Sequence, residues 1–284
     1  MAKRKNIINT IWESIICFFV ALIATSPLVG TCFAFFNLYY GLLAFVIPIL
    51  MSLMFAAILY KNSLFHISGR QGMLILIIIV YSVAIYGQYS PVLELRQDPS
   101  MYMFKALNLV NYGYIYKPLD TLAELGVRGL TNAGTYSGYA AIQNGTQFAN
   151  SVLNLDFYPG ATFLYAFIGF FYKPIIFYGQ TIIMVLNGIL MFIALCSIAV
   201  KNRMYTNVIY TLTFLTAPLI VWFGRGSFCE PVSLSFFLIL FCLLSQVKSP
   251  NPAIIALIGL VVTTSITARI DYGLLLLLGV IIIT

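Results

Sequence analysis

The chain has 284 residues, 61% of them hydrophobic and 8% charged, with a mean hydropathy of +0.98. That composition excludes a soluble globular domain. Lys and Arg number 15 against 8 Asp and Glu, a formal net charge of +7, and where those charges fall along the apolar runs makes them a record of membrane topology that gives no reason to propose nucleic acid.

A hydrocarbon core of about 30 Å needs roughly 20 apolar residues per helix. Runs of that kind predict helices near 9–31, 38–60, 72–90, 174–200, 206–223, 227–247 and 251–268, with another beginning at Tyr272. The last run, GLLLLLGVIIIT, is too short to cross, so the sequence is expected to be truncated at its C-terminus. The predicted fold class is an all-α polytopic membrane protein, residues 1–284 forming a single transmembrane domain. The opening MAKRK precedes a long apolar run that Trp12 and Glu13 interrupt, and no small-x-small cleavage site follows. An uncleaved first helix is therefore expected rather than a signal peptide.

Orientation follows from the short loops that carry Lys and Arg. With the N-terminus in the cytoplasm, that side holds Lys3, Arg4, Lys5, Lys61, Arg70, Lys201, Arg203 and Lys248 against Glu13 alone. The outer side balances Arg96, Lys105, Lys117, Arg128, Lys173, Arg225 and Arg269 against Glu94, Asp98, Asp120, Glu124, Asp156, Glu230 and Asp271. The expected location is the plasma (inner) membrane, with the whole basic excess in the cytoplasm. Residues 157–172, FYPGATFLYAFIGFFY, are apolar but short, and a full crossing there would turn Lys201 and Arg203 outward. A re-entrant or interfacial helix is predicted instead, with its ends covered by protein.

Residues 91–156 form a long outer loop, and loops of that size are usually functional or disordered. Within it Asp98-Pro99 makes a cap and first-turn pair. Met103, Leu107 and Val110 share one face of the ensuing helix, Lys105 and Asn108 another, and Gly113 closes it. An amphipathic helix on the outer membrane surface is predicted. Residues 129–151, rich in Gly, Asn and Thr, read as an exposed loop or flap.

In these residues the chain resembles an integral-membrane glycosyltransferase of the GT-C superfamily, which uses polyprenyl-phosphate sugars. Four elements carry the resemblance over residues 72–284. Asp98-Pro99 with Tyr102 and Ala106-Leu107, closing at Tyr112-Gly113, is similar to that family's acid at the head of an interfacial helix. Phe157-Tyr158-Pro159-Gly160 is similar to its aromatic-Pro return into the membrane. Arg225 to Glu230 is similar to a small-residue-then-Glu element, and Arg269-Ile270-Asp271 to an Arg-x-Asp element. Two extra spans precede the acidic loop here, and the tandem-Pro form of the return is reduced to Pro159. The resemblance implies a GT-C-like helical bundle whose long outer loop carries interfacial helices. It implies a polyprenyl-phosphate-linked sugar as donor and a glycan, lipid or protein as acceptor in the cell envelope. Asp98 would be the general base and Arg269 the group on the donor phosphate. Arg225, Glu230, Asp271, Asp156 and Tyr158 would line the substrate site. No cofactor is called for, and a divalent metal stays open.

The chemistry can be argued from the residues alone. Glycosyl transfer from a lipid phosphate needs a carboxylate to take the acceptor's proton and cations to hold the departing phosphate. Ionisable groups are costly inside a bilayer, so their gathering at outer helix ends suggests a shared cavity. Each has a plainer reading. Asp98 serves equally as a helix cap, Arg225 and Arg269 as interface anchors with Glu230 and Asp271 as partners, and Glu94 as a solvated surface group. His66 has no Cys or second His nearby and is not read as a metal ligand. Cys17, Cys32, Cys196, Cys229 and Cys242 lack ligand spacing and read as buried free thiols. Asn144-Gly145-Thr146 is a glycosylation sequon, relevant only where that machinery exists. No phosphate-cradling glycine loop or serine-hydrolase motif is present in the sequence. Two rivals remain: an oligosaccharide polymerase or ligase that relies on Arg in a later loop, and a transporter or lipid flippase with charges near helix middles and paired broken helices.

Overall fold

A computed structural model describes residues 7–36, 38–62, 64–65, 67–87, 98–113, 142–143, 146–147, 159–198, 204–225, 229–246, 252–269, 271 and 273. Ten α-helices lie among them: α1 (Ile7–Phe35), α2 (Leu42–Lys61), α3 (Gly69–Tyr86), α4 (Asp98–Tyr112), α5 (Pro159–Phe171), α6 (Gly179–Ile198), α7 (Met204–Thr216), α8 (Pro218–Arg225), α9 (Glu230–Gln246) and α10 (Pro252–Ala268). A 3-10 helix, Lys173–Tyr178, leads into α6. Two-residue strands, β1 (Ile142–Gln143) and β2 (Thr146–Gln147), pair antiparallel. Among the described residues four helical stretches are long and apolar enough to cross a bilayer, five when α7 and α8 count as one bent span. The protein is an all-α, multi-pass membrane protein.

With no hydrophobic drive between helices in lipid, hydroxyls and amides stitch the bundle. Thr25 of α1 meets Ser52 of α2 at 2.9 Å. Thr264 of α10 donates to the Ala24 carbonyl at 2.7 Å. Asn187 of α6 donates to the Pro231 carbonyl at 2.9 Å while its own oxygen accepts from Ser235 of α9 at 2.7 Å. The start of α3 is fixed locally: Gln71 N–H donates to the Ser68 hydroxyl, and the Gln71 side-chain oxygen accepts from Ser68 N–H. This is a capping box that satisfies two otherwise orphaned donors.

α5 lies across one end of the bundle. Its first turn abuts the last turn of α10, where a Cβ on Gly160 would stand 2.8 Å from the Ala268 nitrogen. Phe163 fills the space beside Gly30 in α1 and packs on Tyr40, with ring centroids 5.5 Å apart. Phe167 and Phe170 stack on Phe45, near the start of α2, at 5.0 and 4.6 Å. The ends of α10 and α1 and the beginning of α2 thus meet one short transverse helix. α4 packs on α5 and on the 3-10 helix, so the two form a cap over this end. The segment 157–172, expected not to cross, contains α5, and its residues 157 and 158 fall outside the described residues.

Two expectations change. The helix expected over 206–223 is two helices, bent by 62° between Thr216 and Pro218. Pro218 lacks the N–H that would continue the ladder and its ring clashes with the preceding turn, so the chain restarts with proline at the first helical position, where it is tolerated. α4 has the predicted length and stop, but it does not simply rest on a surface. Tyr102, Met103, Ala106 and Leu109 are buried, and so is Lys105, expected on the polar face. α5 supplies the packing partner that periodicity could not reveal. α9 and α10 hold 17 residues each, at the short end of the roughly 17–25 that span a bilayer.

Candidate functional site beneath the α4–α5 cap

α9 begins at the capped end with Glu230-Pro231, an acid that the N-terminal helix dipole favours and a proline whose missing N–H is not needed in the first turn. α10 ends there, and Arg269 continues its ladder by donating N–H to the Ser265 carbonyl at 2.9 Å. The two helices run oppositely, so the acid at one N-terminus faces the base at the other's C-terminus. Arg269 Nη1 lies 2.5 Å from Glu230 Oε1. Its Nε donates to both oxygens of Asp271, at 3.0 and 3.1 Å. The guanidinium is therefore held at Nη1 by a carboxylate 39 residues back in the sequence and at Nε by one two residues on. Partial burial works against the Arg269 charge, but hydrogen bonding to Asp271 and the fields of Asp271 and Glu230 outweigh it and hold the cation more firmly than in water.

Cys229, just ahead of Glu230, is buried and directs its Sγ at Glu230 Oε2, 3.7 Å away. Burial pushes its thiol up to about 11, against the opposing effects of a hydrogen bond with Tyr102 and of Arg269. A thiol so held stays protonated at neutral pH, which makes it a poor nucleophile and a weak donor to the carboxylate. Tyr102 belongs to α4, four residues after Asp98 and so on the same helix face. Through Tyr102 and Cys229 the helix headed by Asp98-Pro99 reaches the Glu230–Arg269–Asp271 group.

The α4 terminus is fixed by conformation. Gly113 adopts φ +74, the left-handed region where glycine carries no Cβ penalty. Its N–H donates to the Leu109 carbonyl at 2.9 Å and its carbonyl accepts from Tyr40 N–H at 2.8 Å, tying α4 to the α1–α2 connection. A Cβ there would fall 1.8 Å from the Tyr39 ring.

Of the predicted site residues, the structure brings Glu230, Arg269 and Asp271 together. Arg225 is at the same end but turned to α3, its Nε donating to the Ile85 carbonyl at 3.2 Å. The backbone of Asp98 opens α4, while its side chain, Asp156 and Tyr158 lie outside the described residues. Among the described residues no group of three or more His, Cys, Asp or Glu is placed to hold a metal ion. Cys229 and Tyr102 were not singled out as site residues by sequence reasoning. Their signals were adjacency to Glu230 and a four-residue step from Asp98.

No family model matches the chain, and neither a curated protein nor a solved structure does.

Proposed function

We propose that the protein transfers a sugar from a polyprenyl-phosphate donor to a glycan, lipid or protein acceptor at the outer face of the plasma membrane, as a GT-C-type transferase. The observation that carries this reading is the junction of α4 with the α9–α10 ends, because it joins an Asp98-headed helix to a guanidinium–carboxylate group at one end of the bundle. Asp98 takes the proton of the acceptor hydroxyl, and Arg269 binds the donor phosphate. That phosphate must share the guanidinium with Glu230 and Asp271, so the two carboxylates also orient Arg269 and offer acceptors to sugar hydroxyls. In this orientation the N-terminus is cytoplasmic. The exposed Lys61 and Arg70 at the opposite end support it.

Membranes containing the protein should move radiolabelled sugar from polyprenyl phosphate to an endogenous acceptor. Asp98→Asn should lower turnover by about a hundredfold to ten-thousandfold with donor binding nearly intact, since the amide keeps the size but cannot take the proton. Arg269→Lys replaces a planar fork with a point charge and should raise the donor requirement more than it lowers the maximal rate. An Asp98→Asn protein, correctly inserted, that keeps more than roughly a tenth of its rate reduces Asp98 to a helix cap.

The bent α7–α8 pair favours a second reading, a transporter or lipid flippase, because broken helices recur in such proteins. Glu230 and Arg269 sit at helix ends, which weighs against it. Vesicle uptake of labelled lipid in the absence of sugar transfer would bring that reading forward.

A further inference from the structure

Far from the capped end, side chains of the packed helices α1 and α2 border an open groove of about 430 Å³. Its walls are the third and fourth turns of α1 and the last two turns or so of α2, with Phe18, Phe19, Leu53, Ala56, Ala57 and Tyr60 among the lining residues. The eight residues from Leu53 to Tyr60 make it about 12 Å long. Two Phe rings and two alanines make the slot largely apolar, with Ser14 and Tyr60 also in its lining. Lys61 follows Tyr60 directly and is exposed, as is Arg70 across the α2–α3 connection. The nearby acid, Glu13, is buried and its Oε1 accepts from Ile67 N–H at 3.2 Å, so it is turned inward. In the sequence, MAKRK precedes α1. Outward-facing charge around the groove mouth is therefore positive.

We infer that this groove is a binding site for one acyl chain of an anionic phospholipid, with the headgroup phosphate at Lys61. The slot takes the upper part of a chain, which a bilayer lipid delivers from the side without leaving the membrane. The lysine supplies headgroup preference, because a cation at the lipid surface attracts an anionic headgroup over a zwitterionic one. A long lysine stem can follow the apolar wall while its ammonium stays at headgroup level. The inference stands apart from the sugar-transfer site, which occupies the opposite end.

The test uses the full chain in phosphatidylcholine vesicles with or without phosphatidylglycerol, each lipid carrying a photoactivatable acyl chain, with tagged residues mapped by mass spectrometry. Tags from phosphatidylglycerol should concentrate on residues 14–19 and 53–60, exceeding those from phosphatidylcholine by about fivefold, the order expected for one lysine at an anionic surface. Lys61→Gln should bring the two lipids level while leaving the tags in the groove. Ala57→Phe, at an exposed position that folding does not need, should lower groove tagging by either lipid and leave tagging of the exposed α3 residues Ile77 and Val80 unchanged. Equal tagging by the two lipids in the unaltered protein would overturn the anionic preference. Groove tagging that survives Ala57→Phe would overturn the site itself.

Discussion

Cys229 is 4% exposed between Tyr102, Glu230 and Arg269. Burial lifts its thiol to about 11 from an ordinary 9. Between those values the folded protein keeps a proton that the unfolded chain has lost, so stability falls as pH rises through that window and is insensitive to this thiol below it. In detergent, the melting temperature of the wild type should decline more steeply from pH 9 to 11 than that of Cys229→Ala. Lys and Tyr titrate in both proteins and cancel in the difference. Parallel curves would show that the thiol does not feel its burial. The same neighbourhood shows what residues alone reveal. Glu230, Arg269 and Asp271 were legible because charge at an apolar helix end demands a reason. Cys229 and Lys105 were not, since a thiol and a long-stemmed cation are each compatible with burial or exposure until a packing partner is known.

α5 meets α10 through Gly160, where a Cβ would come 2.6 Å from Thr267 Oγ1 and 2.8 Å from the Ala268 nitrogen. The obstruction is backbone, so one helix has to move. Gly160→Ala should destabilise the protein by about 1–3 kcal/mol, the usual cost of overpacking, and the shift should reach Arg269, next in the chain. Gly259→Ala is the control, because nothing lies within 4 Å of that Cβ; in α10 it should be neutral or stabilising by up to about 1 kcal/mol through helix propensity. Equal melting temperatures for the two variants would mean the α5–α10 contact is slack. Element boundaries were legible wherever caps act locally: α4 runs from Asp98 to Tyr112 as its Asp-Pro start and Gly113 stop dictate. The α7–α8 bend was missed because hydropathy continues through Pro218 while the backbone ladder does not. The transverse course of α5 was half legible. Its length argued against a crossing, but only contacts with Ala268, Gly30 and Phe45 give its direction.

At the scale of the molecule the two ends differ in chemistry. One carries exposed Lys61 and Arg70, the other the Glu230–Arg269–Asp271 group beneath the α4–α5 cap. If the cap faces outward, a cysteine at Gly145 in a background without native thiols should react with an impermeant maleimide on intact cells. Reporter fusions after Lys173 and after Arg203 should then report opposite sides, because α6 lies between them. Reaction at Gly145 only after permeabilisation, or fusions that agree, would reverse the orientation or require another crossing.

The break at Pro218 also sets a demand on the surrounding lipid. α7 has 13 residues, about 20 Å of helix, whereas the hydrocarbon layer measures about 30 Å. It stands at an edge of the bundle, with Tyr205, Ile209 and Tyr210 exposed, and beyond the bend Leu219 and Trp222 are exposed as well. α8, bent by 62° from α7, adds only part of its own roughly 12 Å before Arg225 meets Ile85 near the end of α3, so the bent pair falls short of that layer and the adjoining leaflet is expected to dip toward it, with Trp222 near the rim. Thick membranes resist such a dimple. Reconstituted in bilayers of increasing chain length, the protein should therefore melt at progressively lower temperature, and Pro218→Ala, which lets the two helices run on as one, should flatten that trend. The mismatch also gives the protein a preference among membranes: it should partition into thinner regions and draw short-chained lipids to the flank beside Arg225.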